Sequence, residues 1–195
     1  TTFVDSALTG AANTTVDRTS DTAKYIFGLY FNNTLGTENS YTINGSTRFD
    51  IGGSVIRTAE VTSGSLTDVI NADIADTGQA DVWDIGANHH LDMNGVYSGG
   101  NTITKTGAGT LTFAGANTYT GATTINDGIL KIDSATALGS TTAGTTVNDG
   151  ATLQLNHDGW VGDAITINGA GDGGNGAIWS TNNGIADPRE YMTLP

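Results

Sequence analysis

The residues of this chain that could do chemistry are mostly carboxylates. Twenty Asp and Glu stand against seven Lys and Arg, a formal net charge of −13 at pH 7. Close acid pairs occur at Asp73 with Asp76, Asp81 with Asp84, and Asp158 with Asp163. Paired carboxylates can act as general acid and base on a glycosidic bond. A sugar-acid lyase needs a strong base and cationic clamps as well. The basic residues Arg18, Lys24, Arg48, Arg57, Lys105, Lys131 and Arg189 are scattered and supply no such cluster. No catalytic residue is therefore assigned, and a polysaccharide lyase or glycosidase is the weakest of the functional readings. Asp127 and Asp149 form a different kind of pair. Each follows Asn and precedes Gly in a recurring pattern, so both are expected at equivalent corners of successive turns. Stacked carboxylates repel, and such a corner could hold a cation, with calcium the candidate. The plainer reading is a solvated corner.

The other candidates are weaker. His89 and His90 are adjacent, so in a strand they point to opposite faces and cannot chelate one ion together. His157 lies beside Asp158 in an expected loop. There is no cysteine, which excludes thiolate metal sites, cysteine nucleophiles and disulfides. The stretch Gly169-Ala170-Gly171-Asp172-Gly173-Gly174-Asn175-Gly176 lacks the lysine of a phosphate loop and reads as a corner loop. Trp83, Trp160 and Trp179 with Tyr119 could stack against sugars, but isolated aromatics are more often core plugs. No cofactor or metal site is assigned. The acidic balance disfavours nucleic acid. No apolar run is long enough for a membrane-spanning helix. No basic segment followed by an apolar core opens the chain, so any leader peptide is expected to be absent.

The elements that would position these residues are strands. Of 195 residues, 78 are Gly, Thr or Asn. Thr with Val, Ile and the aromatics favours strands, and Gly, Asn and Asp favour turns. Thr-Ile/Val-Asn followed by Gly or Asp-Gly recurs at Thr42–Gly45, Thr124–Gly128, Thr146–Gly150 and Thr166–Gly169. The spacing of the last three is close to 20 residues, a solenoid period. Short alternating segments such as Thr110–Phe113, Leu130–Ile132 and Leu153–Leu155 read as half-buried strands. A turn of short strands cannot bury its apolar face alone, but stacked turns can. The expected fold is all-β, a parallel β-solenoid of roughly nine turns at about 4.8 Å each. Asn126, Asn148 and Asn168 are expected to stack as a hydrogen-bonded corner ladder.

Lys105 to Ile132 reads KTGAGTLTFAGANTYTGATTINDGILKI. This closely resembles the autotransporter-associated β-strand repeat, also called the passenger-associated transport repeat, of bacterial surface proteins. Residues 137–153 and 91–100 resemble its usual flanks. The resemblance implies a right-handed parallel β-helix exported to the bacterial cell surface or secreted, and it brings no catalytic residues. Three segments are expected: residues 1–35 as an N-terminal cap, link or first turn, 36–184 as the solenoid, and 185–195 as a tail that caps or bridges. The favoured function is a non-enzymatic extracellular structural protein, a fibre or filament subunit joined head to tail as a homo-oligomer. The alternative is an adhesin or passenger segment that binds a glycan or another surface.

Overall fold

A computed structural model describes residues 14–18, 25–31, 40–45, 49–159, 161–174 and 176–181, with the backbone alone for 14–18, 25–28 and 49–54. Among the described residues the regular structure is seventeen strands and a short 3₁₀ turn at Asp172–Gly174. On a first side, eight strands stack in chain order: β1 (Thr14–Arg18), β3 (Tyr41–Gly45), β5 (Leu66–Ile70), β8 (His89–Met93), β11 (Thr110–Phe113), β13 (Gly128–Ile132), β15 (Ala151–Leu155) and β17 (Ile178–Ser180). A second side stacks β2 (Tyr25–Phe31), β4 (Phe49–Thr58), β7 (Asp81–Asp84), β10 (Ile103–Thr106), β12 (Thr123–Ile125), β14 (Thr145–Val147) and β16 (Ile165–Ile167). The shorter third side holds β6 (Ile74–Asp76) and β9 (Tyr97–Ser98) beside the start of β4. Beyond β9 it continues as backbone bonds between turns, from Thr118 N to Tyr97 O and from Ser140 N to Tyr119 O.

The strand pairings are parallel, so the chain is a β-solenoid. The described residues stack eight strands on the first side, against the roughly nine turns expected of the whole chain. The early turns are longer than 20 residues. Stacked Asn44 and Asn71 are 27 apart and Asn71 and Asn94 are 23 apart, whereas Leu91 and Leu111 on the first side, and Asn148 and Asn168 on the second, are 20 apart. The pattern at Thr42–Gly45 also sits on a different side from its apparent copies. Thr42 and Ile43 pair with Val69 and Ile70 on the first side, whereas Thr124 and Ile125 pair with Thr146 and Val147 on the second. Both sides end their strands in an Asn corner, so short-range sequence cannot distinguish them. Strands β1 and β2 already belong to the stacked sheets. The tail 185–195 lies outside the described residues.

Alternation within many of the strands fills the interior. In β5, β8 and β13 every second residue is buried. The parallel register then aligns Leu91, Leu111, Leu130 and Leu153 in one row, all fully buried. Trp83 from the second side, Phe113 from the first, and Tyr97 and Tyr119 from the third meet in the centre. Trp83 meets Tyr97 and Phe113 edge-on at centroid distances of 5.6 and 5.4 Å, and Tyr97 meets Tyr119 at 5.6 Å. Trp83 and Tyr119 therefore plug the core and offer no sugar-stacking surface. Trp179 is partly exposed, and Trp160 lies outside the described residues.

Turn-to-turn approach also decides where glycine is required. At Gly121 a Cβ would overlap the backbone carbonyl of Asn101 in the turn below. Gly150 has open space, although its φ of +82° disfavours a side chain. Gly121→Ala is expected to cost about 3 kcal/mol or more through the backbone clash. Gly150→Ala should cost only about 1 kcal/mol, the left-handed penalty alone. Urea unfolding midpoints of the two variants measure this, and similar losses would contradict the steric account.

Candidate functional site

Polar rows run along two corners of the rod. The second-side corner carries Arg57, Asp84, Thr106, Asn126, Asn148 and Asn168 at the ends of successive strands. The Arg57 guanidinium contacts the Asp84 carboxylate at 2.7 Å, and Thr106 Oγ1 donates to Asp84 Oδ1 at 3.3 Å. Asn148 Nδ2 donates to Asn126 Oδ1 at 2.7 Å, and Asn168 Nδ2 donates to Asn148 Oδ1 at 3.1 Å. The first-side corner holds a second amide row that sequence reasoning missed. Asn71 Nδ2 donates to Asn44 Oδ1 at 2.6 Å, and Asn94 Nδ2 donates to Asn71 Oδ1 at 2.9 Å. Farther along the same corner Asn156 donates to Asp133 and accepts from Thr181. An amide is suited to this work because it carries both a donor and an acceptor, so identical residues satisfy each other turn after turn. Each such bond adds roughly 0.5–1.5 kcal/mol.

Several polar groups lie inside the rod. Lys105 occupies an inward position, in register with Trp83 and Ile125, and is fully buried. Its Nζ donates to the carbonyls of Thr106, Gly107 and Asp127 at 2.9, 2.6 and 3.1 Å. Gly107 has φ +73°, and a Cβ there would overlap Ile85 O, so glycine lets the carbonyl turn toward the ammonium. Asn117 is buried and spans turns: its Oδ1 accepts from Tyr97 N at 2.8 Å, and its Nδ2 donates to Ala137 O at 2.7 Å. His89 is also buried, with Nδ1 at 3.0 Å from Ala59 O and Nε2 at 2.8 Å from Asp68 Oδ2. Only a protonated Nδ1 can bond a carbonyl, so a second proton lies between Nε2 and the carboxylate. Asp68 Oδ1 in turn accepts from Tyr41 N at 2.6 Å. These groups tie neighbouring turns together and are closed to solvent.

The family model of the passenger-associated-transport-repeat matches residues 103–132. This chain carries that repeat. No curated protein and no solved structure matches the chain. The repeat runs from β10 through β13 and contains Lys105, Asn117, Tyr119 and Asn126. Its Lys-Thr-Gly start is the buried ammonium with its two nearest carbonyls. Its Gly-Ala-Asn-Thr-Tyr segment supplies the spanning amide and a central ring.

The acids that are near in sequence differ in burial and in partners. Asp81 is buried and accepts from the Tyr97 hydroxyl, while Asp84 faces the corner and meets Arg57. Asp76 is buried and Asp73 is exposed, accepting from Val96 N. Asp158 is exposed, and Asp163 accepts from Thr145 Oγ1 at 2.5 Å. Asp127 and Asp149 occupy corners of different length: β12 ends at Ile125 and β13 starts at Gly128, whereas β14 ends at Val147 and β15 starts at Ala151. Asp127 Oδ1 accepts from Gly128 N and Asp149 Oδ1 from Ala170 N. Among the described residues no group of three or more His, Cys, Asp or Glu is placed to hold a metal. His90 is half-buried and His157 bonds Asp158 O.

Burial pulls the Lys105 amine down from 10.5 to about 8, against the opposing pull of Asp127, Asp84 and Asp172. Between those pH values the unfolded chain binds more protons than the folded one, so stability rises with pH. The rise should be seen in urea midpoints from pH 8 toward 10, and Lys105→Met should abolish it. Above 10 the effect reverses, because burial raises the Tyr97 and Tyr119 phenols above their ordinary 10.0. A flat wild-type profile from pH 8 to 10 would contradict the assignment.

Proposed function

We propose that the chain is a non-enzymatic structural β-solenoid of a bacterial surface or secreted protein, and that its rods join head to tail into a fibre. The repeat and the solenoid fold fit an autotransporter passenger-like surface protein. The observation that carries the fibre reading is the state of the last described turn. Ile165, Ile167 and Ile178 point inward but are only partly buried. Their partners one turn below, Thr145, Val147 and Leu153, are at most 1% exposed. Among the described residues β16 pairs only with β14, and β17 only with β15. A strand edge unpaired among the described residues, over apolar side chains only partly buried, is a template for another strand. A second copy stacking its first turn there would form a heterologous contact that grows without closing. The net charge of −13 would hold rod flanks apart and favour contact at the ends.

Electron microscopy and sedimentation across a concentration series test this. Filaments one rod wide are expected, and Ile167→Lys should leave single rods of unchanged secondary structure. Single rods at every concentration would overturn the fibre reading. If those rods then bound a glycan array, the passenger-segment alternative would take its place.

A further inference from the structure

The corner after β16 combines three groups that could react with one another. Asn168 and Gly169 are both exposed, and Gly169 has φ +118°. The Asp149 side chain of the turn below lies against the Gly169 backbone, where a Cβ would overlap it. Asp149 Oδ1 already accepts the next amide, Ala170 N–H, at 3.4 Å. The corner thus places an amide carbon at Asn168, an unhindered backbone nitrogen at Gly169 and a carboxylate base beside them.

We propose that Asn168–Gly169 is a self-modification site at which Asn168 deamidates with Asp149 as general base. Asp149 takes the Gly169 N–H proton as that nitrogen attacks Asn168 Cγ. The new C–N bond forms, the Cγ–Nδ2 bond breaks, and ammonia leaves with the returned proton. Water then opens the cyclic imide at either carbonyl, leaving aspartate or isoaspartate at 168. No oxidation or reduction is involved. The product removes the donor that Asn168 gives to Asn148 and sets a second negative charge beside Asp149, so the corner ladder loses its last rung.

The same dipeptide elsewhere lacks this arrangement. At Asn94–Gly95 the glycine is buried and its N–H is donated to Ile70 O. Gly45, after Asn44, lies within β3 in register with Arg18. Asn126 and Asn148 are followed by aspartate, whose side chain hinders the attacking nitrogen. Asn175 and Asn183 also precede glycine and lie outside the described residues.

The inference does not depend on fibre formation and is tested on dilute single rods. Purified protein is incubated near neutral pH in oxygen-18 water, and peptide fragmentation follows label uptake at each Asn-Gly. Asn168 should convert at least about tenfold faster than Asn94 in the folded protein, a factor within the reach of a positioned general base. Asp149→Ala, which removes the carboxylate without creating a new Asn-Gly pair before Gly150, should slow Asn168 several-fold. In concentrated urea Asn168 and Asn94 should convert at similar rates, with no effect of Asp149→Ala. Equal rates at Asn168 and Asn94 in the folded chain would overturn the site. A folded rate unchanged by Asp149→Ala would overturn the role of Asp149.

Discussion

Everything in this rod depends on parallel pairing between one turn and the next. A single turn is a few short strands with an apolar face it cannot cover. Stacked in register, each strand finds hydrogen-bond partners above and below, and like side chains fall into rows. The leucine row on the first side and the amide rows at the corners are the same event seen inside and outside. The close approach of turns also explains why several corner glycines are required for space and not only for conformation. Gly121 is the clear case, because the obstacle is a neighbouring carbonyl.

The same constraint fixes the buried polar groups. A corner that turns between sides leaves carbonyls facing inward, and an unmet carbonyl in the core costs about 1–3 kcal/mol. Lys105 meets three of them with one side chain, two from its own corner and one from the turn above. Asn117 bridges the turn below and the turn above with one amide. His89 and Asp68 close a similar gap nearer the start of the chain. The transport repeat is therefore a unit of turn-to-turn fastening, with an ammonium, an amide and two rings placed so that its turn locks to both neighbours.

Much of this was legible in the sequence. Alternation in segments such as Thr110–Phe113 marks half-buried strands, and the recurring Asn-Gly corners mark a solenoid. The row Asn126, Asn148, Asn168 is found by spacing alone. The row Asn44, Asn71, Asn94 is not, because its spacings of 27 and 23 depart from the later period. Lys105 counts in the sequence only as one of the scattered basic residues, since it stands at an alternation position that only the register with Trp83 and Ile125 identifies as inward. Asp127 and Asp149 share a local motif, yet one extra corner residue gives their carboxylates different partners. Spacing along a chain reports which residues are near a corner, and the length of each corner decides what they touch.

Register is the central claim, and the lack of cysteine makes it directly measurable. Thr124 and Thr146 are parallel partners on the outward second side, and Thr166 is one turn farther. Neighbouring parallel strands lie about 4.8 Å apart, within the Cα separation a disulfide spans, and two turns lie beyond it. The decisive measurement is the extent of disulfide formation under mild oxidation in two double variants. Thr124→Cys with Thr146→Cys should cross-link within the folded monomer, and Thr124→Cys with Thr166→Cys should not. Equal cross-linking in both, or in neither, would contradict an in-register parallel stack.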